Sequence, residues 1–196
     1  MQSIQTVSEN TIYVGASDRR LAKFENLFPI PRGVSYNAYV ILDEKTALLD
    51  TADASVGAQF LENVAAALDG RKLDYLIVDH MEPDHAAMIE AVLVRWPDLR
   101  LVVNAKTLPM LKMYFPTDSA AIGDALVVKE GDTLDLGKHK LTFVMAPMVH
   151  WPEVMMTFDT TTGTLFSADA FGAFGALEGA LFADEVDFAG KWLDDA

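Results

Sequence analysis

The stretch Asp79-His80-Met81-Glu82-Pro83-Asp84-His85 decides how this chain folds and what it binds. It directly follows Leu76-Ile77-Val78, an apolar run with the composition of a buried strand. Two imidazoles and three carboxylates in so short a segment repel or desolvate one another unless a cation or solvent compensates their charge. The segment therefore predicts a metal site just beyond the end of a strand, and a solvated acidic turn is the alternative.

Two further candidate ligands occupy the same kind of position. His150 follows the apolar run at 141–146, and Asp169 follows the short apolar run at 164–166. In layered α/β architectures, sites are built in the loops that follow the strands. We therefore expect these separated segments to converge on the Asp79–His85 stretch.

The order and spacing of these residues resemble the diiron domain of the flavodiiron proteins, which has a metallo-β-lactamase fold. The resemblance covers essentially the whole chain. The other segments that carry it are Ser35-Tyr36-Asn37-Ala38-Tyr39, Ala47-Leu48-Leu49-Asp50-Thr51, Val149-His150-Trp151-Pro152-Glu153 and Leu165–Gly175. It implies an α/β (α+β) fold in the form of an αββα sandwich, with one domain spanning residues 1–196.

The resemblance also implies a ligand set. One iron would be bound by His80, Glu82 and His150, the second by Asp84 and His85, and Asp169 would bridge the two. Hydrolytic relatives of the same fold have an imidazole where this chain has Glu82. A mixed shell of imidazoles and carboxylates suits redox-active non-haem iron. Asp50 and Thr51 are expected to brace the metal loop through hydrogen bonds.

The function implied by the resemblance is reduction of O₂ to water, of NO to N₂O, or of both. In the family the electrons arrive through FMN on a flavodoxin-like domain, so this chain would need that domain elsewhere or a separate flavodoxin- or rubredoxin-type donor. The resemblance further implies a homodimer. Three alternatives stay open: an O₂-binding sensor without turnover, a zinc-dependent hydrolase and a remnant that binds metal loosely.

One departure from the family pattern concerns the last ligand. The family has a further His downstream of the position of Asp169, whereas the remaining histidine here is His139. His139 lies in the turn Gly137-Lys138-His139, at the far end of the strand that leads to His150, so we expect an exposed residue that binds no metal. We therefore expect a domain that is truncated at its C-terminus, and a naturally short form that lacks the last ligand is the alternative.

Composition narrows the class of partner. The chain has 196 residues, 51% of them hydrophobic, which is enough for a sizeable core without disulfides. A net charge of −14 opposes non-specific binding to nucleic acid or to an anionic membrane. The chain has no cysteine, so it offers no thiolate for an iron–sulfur or rubredoxin-like centre, and we expect a cytoplasmic protein.

Hydrophobic periodicity predicts a mixture of hairpins and strand-helix-strand units. The predicted strands are Thr11–Val14, Tyr36–Leu42, Ala47–Asp50, Tyr75–Val78, Leu101–Asn104, Ala125–Val128, Thr133–Leu136, Leu141–Ala146, Met155–Asp159 and Thr164–Ser167. The predicted helices are Val56–Leu68, Ala86–Trp96 and Leu108–Phe115. This order favours two packed mixed sheets with outer helices over a doubly wound parallel sheet.

Overall fold

A computed structural model describes residues 3–115, 120–187 and 190. Its strands are β1 (Gln5–Ser8), β2 (Thr11–Tyr13), β3 (Ala16–Asp18), β4 (Lys23–Phe24), β5 (Phe28–Pro29), β6 (Val34–Tyr36), β7 (Tyr39–Leu42), β8 (Thr46–Leu49), β9 (Tyr75–Ile77), β10 (Arg100–Asn104), β11 (Leu126–Val128), β12 (Thr133–Asp135), β13 (Lys140–Met145), β14 (Met155–Asp159) and β15 (Thr164–Phe166). Its α-helices are α1 (Gly57–Leu68), α2 (Pro83–Ala86), α3 (Ile89–Arg95), α4 (Thr107–Tyr114) and α5 (Ala120–Gly123). Short 3₁₀ turns cover Ala54–Val56 and Ala183–Glu185.

Two sheets form the centre of the fold. The larger has the strand order β1-β2-β7-β8-β9-β10-β11, and the smaller has the order β12-β13-β14-β15. Strands β8 to β11 run parallel to one another, whereas the smaller sheet is antiparallel throughout. The strands of the larger sheet near its middle are covered on both faces, which explains why β8 is buried at all four residues.

The core has two layers, one on each face of the larger sheet. Between the sheets, Ile77 and Val102 belong to the same buried cluster as Phe143 and Met155 of the smaller sheet. On the opposite face, Phe60 and Val64 of α1 join Val92 of α3 in a second cluster with the strands. The apolar residues whose spacing predicts α1 therefore form the buried face of that helix.

The predicted fold class and most predicted elements are confirmed. The predicted strand Tyr36–Leu42 is wrong as a single element, because β6 pairs with β3 in a separate ribbon while β7 joins the larger sheet. The predicted helix Ala86–Trp96 is interrupted at Ala87 and Met88, where the Met88 N–H donates to Thr51 Oγ1. Strands β1, β3, β4 and β5 and helix α5 had no counterpart in the sequence predictions.

Part of the predictions falls outside the described residues. Pro116, which directly follows the predicted helix Leu108–Phe115, is one such residue, and so are residues 188–189 and 191–196. Among the described residues, none of the helices is long and apolar enough to cross a membrane.

Candidate metal centre

The six predicted ligands lie together at one end of the sandwich. His80 and Glu82 are in the loop after β9, Asp84 and His85 are in α2, His150 is in the loop between β13 and β14, and Asp169 follows β15. Pro83 occupies the first turn of α2, where its missing N–H costs nothing. A single helical turn therefore follows Glu82 directly and places Asp84 and His85 beside it.

The loops that deliver these residues contain strained backbone. Asp50, Met148 and Ala168 all have positive φ angles, of 55°, 67° and 48°, although none of them is glycine. A left-handed conformation costs a residue with a Cβ atom roughly 1–2 kcal/mol. Such strain persists where the surrounding structure requires it, and these three positions are each within two residues of the site or contact it.

The first group of ligand atoms contains His80, Glu82, His150 and Asp169, whose ligand atoms all lie within 4.8 Å of one another. Nε2 of His80 lies 3.1 Å from Glu82 Oε2 and 3.1 Å from Asp169 Oδ2. Nε2 of His150 lies 2.8 Å from the same Glu82 oxygen and 3.4 Å from the same Asp169 oxygen. Both imidazoles therefore direct the same ring nitrogen to the same pair of carboxylate oxygens.

The second group contains Asp84, His85 and Asp169. Nε2 of His85 lies 2.7 Å from Asp169 Oδ1 and 3.5 Å from Asp84 Oδ2. Asp169 thus presents Oδ2 to the first group and Oδ1 to the second. This is the arrangement of a carboxylate that can bridge two ions.

The donor set fits two divalent ions. Two ligand atoms that share one ion, each about 2.1 Å away and at about 90°, lie about 3.0 Å apart, close to the separations in both groups. Asp84 Oδ1 is buried and has no hydrogen-bond partner among the described residues. A buried carboxylate oxygen without a donor is costly unless a cation is nearby.

Electrostatics show how strongly the site favours positive charge. Burial opposes protonation of His80, but its hydrogen bonds to Asp169, Glu153 and Glu82 outweigh that effect and raise its pKa to about 11. Burial raises the pKa of the Asp84 carboxyl to about 6 despite the neighbouring His85. Without a metal ion, protons on His80 and His85 therefore balance part of the carboxylate charge, and ions must displace the Nε2 protons on binding.

Hydrogen bonds behind the site orient the ligands. Nδ1–H of His85 donates to Asp50 Oδ2 at 2.9 Å, and Thr51 Oγ1 donates to the carbonyl of His85 at 2.6 Å. The other Asp50 oxygen accepts the Asp79 N–H at 2.7 Å, and Asp79 in turn accepts from Thr157 Oγ1 at 2.8 Å. The predicted bracing by Asp50 and Thr51 is confirmed.

A cavity of about 320 Å³ opens onto the two groups. Its polar floor contains five candidate ligands from the two groups, Glu82, Asp84, His85, His150 and Asp169, and apolar rings form a wall. That wall includes Phe24, Phe28 and Phe174, with the Phe174 ring centroid 5.1 Å from that of Phe24 and 6.4 Å from that of Phe28. The segment 172–179, which follows Asp169, therefore contributes to the cavity wall through Phe174.

The predicted exposure of His139 is wrong, and the buried carboxylate of Glu153 was not predicted to contact the site. His139 is fully buried, because Asp159 accepts from its Nδ1–H at 2.7 Å and Asp43 accepts from its backbone N–H. Among the described residues, it belongs to neither group of ligand atoms. Glu153 was not among the predicted site residues, yet it contacts His80. The sequence feature that pointed to it is its position three residues after His150.

This architecture defines a β-lactamase-like domain with a candidate two-metal site, and comparisons with known proteins agree. The family model of the ODP family beta lactamases matches residues 34–192. The chain is 38% identical over 183 residues to an anaerobic nitric oxide reductase flavorubredoxin of Klebsiella pneumoniae, covering 92% of this chain and 37% of the relative. It is 36% identical over 191 residues to a nitric oxide reductase of Moorella thermoacetica, covering 97% and 47%.

Solved structures give the same answer. Rubredoxin oxygen:oxidoreductase from Desulfovibrio gigas superposes with a TM-score of 0.89 at 30% identity, over 96% of this chain and 46% of the other. The flavodiiron protein from Giardia intestinalis superposes with a TM-score of 0.87 at 27% identity, over 97% and 45%. The chain belongs to the ODP family of beta-lactamase domains, and its relatives are flavodiiron proteins. It spans less than half the length of these relatives.

Proposed function

We propose that this chain forms the diiron site of a reductase that converts O₂ to water, NO to N₂O, or both. The observation that carries the proposal is the position of Asp169, with one oxygen toward each of two groups of ligand atoms. In this assignment His80, Glu82 and His150 bind one iron, Asp84 and His85 bind the other, and Asp169 bridges them. The relatives named as nitric oxide reductases and as an oxygen oxidoreductase support the choice of reaction.

Iron is favoured over zinc by the ligand types. Three carboxylates, from Glu82, Asp84 and Asp169, offset most of the charge of two divalent ions, and mixed shells of imidazoles and carboxylates with open positions suit non-haem iron. When bound, two ferrous ions supply electrons for cleaving the O–O bond or joining two NO molecules. The chain's residues hold both ions beside one cavity, so that a small molecule can contact both.

The cavity favours a small uncharged substrate. Its aromatic wall offers no charged partner, and the Trp151 ring packs against the His80 ring in a T-shaped contact with centroids 5.3 Å apart. His150 is more exposed, since 57% of its side chain is accessible, and it marks the open side of the site. An apolar approach to a polar floor suits O₂ and NO.

Electrons are proposed to come from outside the described residues. The printed names flavorubredoxin and rubredoxin oxygen:oxidoreductase point to flavin and rubredoxin partners in the relatives. We therefore propose FMN on a flavodoxin-like domain, or a separate flavodoxin- or rubredoxin-type protein, as the electron donor. A homodimer and a cytoplasmic location complete the proposal.

A single-turnover experiment tests the reaction without any donor. Protein loaded anaerobically with two ferrous ions holds two electrons, enough to convert two NO molecules to one N₂O and one water. We expect about one N₂O per chain by gas chromatography, and none from a matched Asp169→Ala protein. Reversible NO binding without N₂O would instead indicate a sensor, and ester or amide hydrolysis by zinc-loaded protein would indicate a hydrolase.

A further inference from the structure

Glu153 is a buried carboxylate in contact with a candidate metal ligand. It is 1% exposed, and its Oε1 atom accepts from Nδ1–H of His80 at 2.8 Å and from the Met81 N–H at 3.0 Å. Oε2 has no hydrogen-bond partner among the described residues. A buried carboxylate bonded through one oxygen only is costly to fold, so its retention calls for an explanation.

The backbone around Glu153 is fixed from the neighbouring sheet. The side-chain amide of Asn104, at the end of β10, donates to the Glu153 carbonyl, and Lys106 Nζ donates to the carbonyl of Pro152 at 3.0 Å. Asn104 also accepts from two backbone N–H groups at the start of α4. The carboxylate therefore approaches His80 from a rigid support on the larger sheet.

Each buried imidazole of the site donates a hydrogen bond from Nδ1–H to a carboxylate that is not a candidate ligand. His80 has Glu153 and His85 has Asp50, whereas the exposed His150 has no such partner among the described contacts. Glu153 also lies in the loop that contains His150, so it ties that loop to the segment that contains His80 and Glu82. All three of those ligands belong to the first group.

We propose that Glu153 is a positioning residue for the first metal position only, and that Asp50 has the matching role at the second. Glu153 accepts the Nδ1 proton of His80, so Nε2 is the ring nitrogen that faces Glu82 and Asp169 and would bind an ion there. Its negative charge makes that nitrogen a better donor to a cation. Loss of Glu153 should therefore lower the metal affinity of the first position and leave that of the second unchanged.

This inference rests on the metal assignment of the proposed function, but its test needs no gas chemistry. The full chain is titrated with Co²⁺, and the two binding constants are measured by visible absorption. We expect Glu153→Ala to weaken the first position by about 10–100-fold and to leave the second within about twofold. Glu153→Gln keeps an acceptor oxygen and loses the charge, so we expect a smaller loss. Glu62→Gln, on the exposed face of α1, is the matched control.

A spectroscopic signature assigns the affected position. In Co²⁺-loaded protein the Nδ1–H protons of the buried His80 and His85 should give two hyperfine-shifted NMR signals that exchange slowly with solvent. Glu153→Ala should alter the His80 signal alone, and Asp50→Ala the His85 signal alone. Unchanged affinities in Glu153→Ala, or equal weakening of both positions together with lower stability of the metal-free protein, would overturn the inference. Failure of NO reduction with an intact Co²⁺ result would refute the proposed reaction and leave the role of Glu153 standing.

Discussion

Oδ1 of Asp169 lies 2.7 Å from Nε2 of His85, while Oδ2 of the same carboxylate lies 3.1 Å from Nε2 of His80. The two oxygens of Asp169 thus face different groups of ligand atoms, and among the described residues Asp169 is the one that the two groups share. The proposal of a two-metal site depends on this relationship more than on any other.

Removal of the shared carboxylate should abolish the paired site. We expect Asp169→Ala to reduce the bound metal from about two ions per chain to about one or fewer, because both ions lose a ligand and their mutual repulsion is less shielded. Elemental analysis after anaerobic iron loading measures this. Asp98→Ala, at an exposed position, is the control and should keep the wild-type content. Equal iron in Asp169→Ala and wild type would refute the bridging role.

The residue at position 82 should influence which metal the site prefers. Replacing Glu82 by His exchanges an oxygen ligand for an imidazole at a position that contacts both His80 and His150. We expect Glu82→His to bind a larger share of zinc than wild type when both are offered equal iron and zinc, because nitrogen-rich shells suit zinc. The metal ratio after dialysis gives the answer. An unchanged ratio would mean that Glu82 does not determine metal preference.

His139 should matter for stability and not for metal. Its ring is fully buried and bonded to Asp159 at 2.7 Å, at the opposite end of β13 from the loop that contains His150. We expect His139→Ala to lower the free energy of unfolding by about 1–3 kcal/mol, because Asp159 loses a donor inside the protein. Metal content should stay at the wild-type value. A large loss of metal in this variant would show that the two regions are coupled.

Acid should remove the contribution of Asp159. Burial would raise the pKa of its carboxyl, but hydrogen bonds from His139, Thr162 and the backbone N–H of Thr161 outweigh burial and hold the pKa below its ordinary value of 3.8. A lowered pKa stabilises the fold at pH values above that ordinary value, and the contribution is lost as the pH falls through the folded-state pKa. The difference in unfolding free energy between wild type and Asp159→Asn should therefore shrink below about pH 4 in urea titrations of metal-free protein. A difference that is constant down to pH 2 would contradict this account.

Local sequence was sufficient for the ligand segments, since His80, His150 and Asp169 each lie in the loop that follows a run that folds as a strand. It was insufficient where a partner lies far along the chain. His139 looked exposed because its own turn is polar, but Asp43 and Asp159 from two other hairpins enclose it. Hydrophobic periodicity in the sequence does not reveal burial by residues from distant segments of the chain.

Glu153 and the break in the predicted helix Ala86–Trp96 have the same origin. The helix is interrupted where Met88 donates to Thr51, 37 residues earlier in the chain, and Glu153 reaches back 73 residues to His80. Both features depend on contacts between loops, and loop conformation is set by the sheets that hold the loops. The sequence therefore predicted which segments meet, but not the hydrogen bonds that orient them.

Metal content is the most direct test of the central claim. Protein purified anaerobically from iron-rich medium should contain about two irons per chain by elemental analysis, because Asp169 joins two sets of ligands. One iron per chain, or zinc in place of iron, would contradict a diiron site in this chain and with it the proposed reduction of O₂ or NO.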